Sequence, residues 1–197
     1  MVIDESTAHA YMKRWLRVKP RITKPAHKSR KAWMKSFIGD MLHCCWVVRN
    51  RPLSKYRHQM LTMAHDDEIT GYELWEVVLD SKKFDVENYP SGIILSPHAI
   101  ARCMQAVKSV EQDAVMPVII TIFEAVGTLR DYLADREIEL RDYEIYVGGF
   151  GMVAVQAMYN LTSNERQYLV KTYIPKDVLN PGKLAKVQQL QDGEILI

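Results

Sequence analysis

The stretch LSPHAIARCMQ, residues 95–105, sets His98 and Arg102 four residues apart, directly after Ser96 and Pro97. Serine is a favoured N-cap and proline suits the first helical position, so a helix is expected from Pro97 to about Lys108. His98 would be its second residue, in the positive end of the helix dipole. That position disfavours the imidazolium and leaves a neutral ring able to take a proton. The same turn offers unsatisfied backbone N–H groups to an anion, and Arg102 lies one turn along on the same face. A base, a guanidinium and backbone donors are the parts needed to cleave RNA without a metal. The base removes the 2′-hydroxyl proton while the cation and donors hold the phosphate. The bland alternative is an ordinary helix start, with Arg102 paired to an acid such as Glu111 or Asp113.

The elements that would position this pair come from the wider pattern. The chain has 197 residues, 48% hydrophobic and 25% charged, a composition that argues for a folded, soluble protein. No apolar run approaches the length of a membrane span, and the first residues lack the apolar core of a secretory signal. Three cysteines, two of them adjacent (Cys44 and Cys45), do not make a disulfide framework and point to a reducing cytoplasm.

The net charge of +2 conceals an asymmetry. Residues 1–57 hold 14 Lys or Arg against 3 Asp or Glu, and residues 58–197 hold 12 against 21. This predicts a basic N-terminal segment, 1–57, with one helix, followed by an α+β body, 58–197, the two forming separate domains or one continuous one. Within the basic segment Arg14, Arg17, Lys28, Arg30 and Lys31 interleave with Trp15 and Trp33, and Pro20 and Pro25 break it. Cations give phosphate affinity and rings can stack on bases. The alternatives are a solvated basic surface, or a segment neutralised against the acidic body.

Apolar spacing predicts a helix from about Ser29 to Arg51, a shorter one between Pro52 and Thr70, and a third over 71–82, where Thr70 and Glu73 have capping-box spacing. Residues 92–96 read as a short strand, and Pro117 should kink or restart the long apolar stretch after Ser109. Two strands around Gly148, Gly149 and Gly151 and a last strand over 166–175 complete the set. In that last strand Tyr168, Val170, Thr172 and Ile174 should share one face, and Leu169, Lys171 and Tyr173 the other. The expected fold class is α+β: N-terminal helices followed by a helix pair packed on a small antiparallel sheet.

The order SPHAIAR, a second helix, glycine-bearing strands and a final strand YLVKTYIP resembles the RNase toxin superfamily that groups barnase, EndoU, colicin D, colicin E5 and RelE. The resemblance covers about residues 93–175. It implies a metal-independent, toxin-like ribonuclease or translation inhibitor of a bacterial toxin–antitoxin or phage-defence system, held in check by an antitoxin or other inhibitory partner. It implies catalytic roles for His98, Arg102 and Thr172, with Tyr173 a fourth candidate on the substrate; where such helices carry a second basic residue this chain has Gln105, and Lys108, the next base, is expected on the phosphate.

Other clusters carry less. His43, Cys44 and Cys45 are adjacent on an expected helix and would point apart. His65 to Glu68 fit helix capping, and residues 148–151 fit a turn. No metal or other cofactor is expected. The function readings are therefore ribonuclease, non-catalytic nucleic-acid-binding or regulatory protein using the basic segment, and protein–protein interaction module.

Overall fold

Residues 57–66 and 71–80 form strands where their spacing suggests helices, whereas 92–95 form the strand expected there. The computed structural model describes residues 3–16, 29, 31–35, 47–66, 71–134, 141–160 and 164–197, with side chains at 47–50 and 64–66 left aside. In chain order the elements are α1 (Glu5–Trp15), α2 (31–35), β1 (Val47–Pro52), β2 (Arg57–Asp66), β3 (Gly71–Asp80), β4 (Asp85–Leu95), α3 (Pro97–Val107), α4 (Gln112–Leu133), β5 (Asp142–Val147), β6 (Gly151–Asn160), β7 (Glu165–Pro175), α5 (Pro181–Gln189) and β8 (Ile195–Leu196). The chain divides into two compact units, Ala10–Ser91 and Met1–His9 with Gly92–Ile197.

In Ala10–Ser91 the strands follow the order β1-β2-β3-β4. β2 is antiparallel to β1 and to β3, with Met60 opposite Val77 and Arg57 opposite Asp80. Trp33, on α2, is 2% exposed and packs with Met60, Val77 and Leu79, flanked by Met34 and Val86.

Of the helix expected over Ser29–Arg51, residues 31–35 are helical and 36–46 lie outside the described residues, while the helices expected between Pro52 and Thr70 and over 71–82 give way to strands. Residues 47–50 lie in β1, 57–66 in β2 and 71–80 in β3. Leu74, Val77 and Val78 do sit at helical spacing, but Tyr72, Glu73 and Leu74 are buried in succession, as are Met60 to Met63. A strand covered on both faces reads as a continuous apolar run, so its period-two signal vanishes and length and β-propensity must arbitrate. Glu73, expected in a capping box, is buried at 7% exposed; Thr70 lies outside the described residues.

The other unit holds the end of β4 and the strands β7, β6, β5 and β8 in that order. β4 runs parallel to β7, with Ile94 opposite Leu169, whereas β5, β6 and β7 are antiparallel. The sheet is thus mixed, and the expectation of N-terminal helices before a small antiparallel sheet is overturned by four strands preceding α3 and by this parallel pair. The glycine hairpin and the last strand form as expected. α4 begins at Gln112 and continues through Pro117, which does not start a new helix. By length and composition α4 reaches the range of a membrane span. Eight of its residues, from Val115 to Leu133, are buried.

One irregularity decides which side chains face α3. Along β7 and β6, Val170 is opposite Val155 and Thr172 is opposite Ala154, leaving Lys171 as an extra residue. Such a β-bulge breaks the two-residue alternation. Tyr168, Val170 and Tyr173 therefore share the buried face with Val153 and Val155, while Thr172 goes with the half-buried Ala154. α3 packs on β7 and α4, and α4 reaches β5. On the opposite face α5 buries Val187 against Tyr146 and Met152.

Candidate functional site

The expected helix start is present in detail. Ser96 has extended backbone, its Oγ accepts from the Ala99 N–H at 3.0 Å, and Pro97 occupies the first turn. Ser96 also donates through Oγ to the carbonyl of Lys171 at 2.9 Å. Its own N–H reaches the Val170 carbonyl, so the start of α3 is anchored to the bulge of β7. The left-handed Lys108 caps the other end.

His98 sits on the exposed side of that first turn, its side chain 49% exposed. Its Nδ1 donates to Glu5 Oε1 at 2.9 Å. A carboxylate at Nδ1 orients the ring and makes that nitrogen the donor, with Nε2 left outside this bond, the arrangement that acid–base enzymes use. Glu5 is 93 residues away in sequence, so no local spacing announces it. Arg102 lies one turn further along α3 and donates to Gln105 Oε1 at 2.8 Å, and Gln105 in turn donates to the Ile3 carbonyl. Ile3 and Ala8 are buried. The face of α3 that carries His98 and Arg102 is thus also where residues 3–5 are held. Arg102 has its recorded bond to Gln105, not to Glu111 or Asp113.

The remaining expected residues do not join this pair. The bulge places Thr172 on the sheet face away from α3. The reading that grouped Thr172 with Val170, and Tyr173 with Lys171, is reversed. Tyr173 is 3% exposed, donates to the Phe150 carbonyl at 3.2 Å and has its ring 5.1 Å from that of Phe150. Burial pushes its phenol well above the ordinary range. It is a core residue. Lys108 is ten residues from His98, about 15 Å along the helix axis. Arg14 and Lys31 are exposed and belong to Ala10–Ser91. Arg17, Lys28 and Arg30, like His43, Cys44 and Cys45, lie outside the described residues. Among the described residues no three His, Cys, Asp or Glu side chains gather as a metal site requires.

The charge asymmetry persists between the two folded units, less steeply than between residues 1–57 and 58–197. Ala10–Ser91 carries 16 Lys or Arg against 9 Asp or Glu, a net +7, and the other unit carries 10 against 15, a net −5. Asp4 and Glu5 belong to the acidic unit and Lys82 and Lys83 to the basic one, while the acids between Asp66 and Glu87 lower the net charge of the basic unit. No family model, curated protein or solved structure matches the chain.

Proposed function

We propose that the protein binds nucleic acid through its basic unit, Ala10–Ser91. The observation that carries this reading is the net +7 on that unit beside −5 on the other. A compact basic unit attracts a polyphosphate, and an acidic companion discourages wrapping around the whole molecule. The role fits a cytoplasmic protein. The test is titration of a labelled RNA oligonucleotide at several salt concentrations. The expected result is an affinity that falls linearly on a log–log plot against salt, reflecting displaced counterions. Absence of binding at low salt overturns the reading.

A second reading rests on Glu5 and His98. With Nδ1 held by a carboxylate, Nε2 serves as a base beside Arg102, as metal-independent RNA cleavage requires. In this reading the chain is a toxin-like ribonuclease restrained by an inhibitory partner, and Thr172 has no part in it. Induction of the wild-type chain beside His98→Ala, with total RNA followed on gels, separates the readings. Growth arrest and RNA fragments that the substitution abolishes support cleavage. Intact RNA with both chains removes it and leaves the binding role.

A further inference from the structure

The meander of Ala10–Ser91 sends two of its turns out at one end. The turn after β1 is closed by the N–H groups of Leu53 and Ser54 on the Arg57 carbonyl. The turn after β3 is closed by the N–H groups of Lys82 and Lys83 on Asp80 Oδ1, at 2.8 and 3.2 Å. The two turns touch: Ser81 donates its N–H and its hydroxyl to the Tyr56 carbonyl, at 2.8 and 3.2 Å. Local sequence gives each turn the same composition, Lys55-Tyr56-Arg57 in one and Lys82-Lys83-Phe84 in the other. The fold brings the two tripeptides together.

The rings at this end are not core residues. Tyr56 is 38% exposed and Phe84 42%. Phe84 also holds a left-handed backbone, φ 55°, a conformation that a bulky side chain rarely adopts. The strained backbone holds the ring at the tip, its centroid 5.6 Å from that of Trp33 in an edge-to-face arrangement, and such strain tends to persist where a residue has a task. The Lys55 ammonium stands 5.6 Å over the Tyr56 ring. Among the described residues the ammonium groups of Lys82 and Lys83 form no ion pair. Arg57 alone is partly neutralised, by Glu87 at 3.7 Å. Asp80 Oδ1 accepts from the N–H groups of Lys82 and Lys83, and Asp85 Oδ1 from that of Val86 at the start of β4.

We infer that these paired turns form a platform for single-stranded nucleic acid, with Tyr56 and Phe84 stacking on unpaired bases and Lys55, Lys82 and Lys83 on the phosphates. The inference deepens the nucleic-acid reading and rests on it. Exposed rings select a single strand because a duplex hides the faces of its bases, and rings beside lysines are how sequence-tolerant single-strand sites are built. A protein partner with an acidic patch would use the lysines but has no need of the two rings.

The experiment is fluorescence anisotropy of the full chain with labelled oligouridylate, and with duplex RNA and oligothymidylate of the same length. Wild type should bind oligouridylate and oligothymidylate more tightly than the duplex. Phe84→Gly is the decisive variant, because glycine suits the left-handed backbone and keeps the turn while the ring is removed. Combined with Tyr56→Ser it should weaken binding by about tenfold or more. Lys82→Ala with Lys83→Ala should lower the slope of log affinity against log salt by about 1.4, near 0.7 for each contact. Oligouridylate binding that the ring variants leave at the wild-type level places the contact elsewhere and overturns the platform, while the wider reading stands. Equal or tighter binding of the duplex also overturns it. No binding by wild type removes both.

Discussion

Replacing Ser96 by alanine tests the joint between α3 and β7. The serine hydroxyl does two things at once: it accepts from the Ala99 N–H at 3.0 Å and donates to the Lys171 carbonyl at 2.9 Å. Loss of a side-chain N-cap costs about 1 kcal/mol. Loss of the second bond leaves the carbonyl of the bulge residue without that donor, at about 1 kcal/mol more. The sum, about 2 kcal/mol, corresponds to a fall in Tm of about 4–8 °C for a chain of this size. Ser96→Thr keeps both bonds and should stay near wild type. Ser96→Asp keeps the cap but cannot donate to Lys171, so it should fall between. All four tryptophans (Trp15, Trp33, Trp46 and Trp75) lie in Ala10–Ser91, so tryptophan fluorescence reports the wrong unit. Urea melts should be followed by far-UV circular dichroism. A loss below about 0.5 kcal/mol for Ser96→Ala, or Ser96→Asp equal to wild type, would refute the idea that the hydroxyl couples the helix start to the bulge.

Three further outcomes follow from the same coordinates. Cys103 is fully buried on α3 and burial pushes its thiol far up, so peptide mapping after alkylation of the native protein should find it unmodified, and modified after denaturation. Gly149 has φ +73°, and an added Cβ would stand 1.8 Å from Asp192 Oδ1; Gly149→Ala should cost more than about 1 kcal/mol in a urea melt, from the left-handed backbone alone. Glu144 is held below the ordinary carboxylate range by its hydrogen bonds from Lys183 and Tyr146. A group depressed in the folded state stabilises above its unfolded value and loses that contribution as pH falls through the folded one. Wild type should therefore exceed Glu144→Gln in stability at neutral pH, and the gap should close in acid.

The α3 site and the hairpin tip were legible in the sequence to different degrees. The start of α3 was readable because Ser96 and Pro97 act within one turn on the backbone beside them, and that chemistry needs no other part of the chain. The strands from β5 to β7 were readable because β-branched residues alternate around glycines that the turn at 148–150 requires. β2 and β3 were misread because both of their faces are covered, and a pattern of burial that depends on two partners leaves no trace in one strand. Position along the chain did not disclose that Glu5 meets His98, since a contact over 93 residues depends on how the intervening chain packs. Nor did it show that one extra residue, Lys171, sends Thr172 to one face and Tyr173 to the other. Lys55-Tyr56-Arg57 and Lys82-Lys83-Phe84 were visible as two unremarkable turns. Their proximity is a property of the meander alone, because antiparallel strands return every second turn to the same end of the sheet. Residue types and local spacing thus settled the chemistry each short segment can offer, and the tertiary structure settled which of those segments meet.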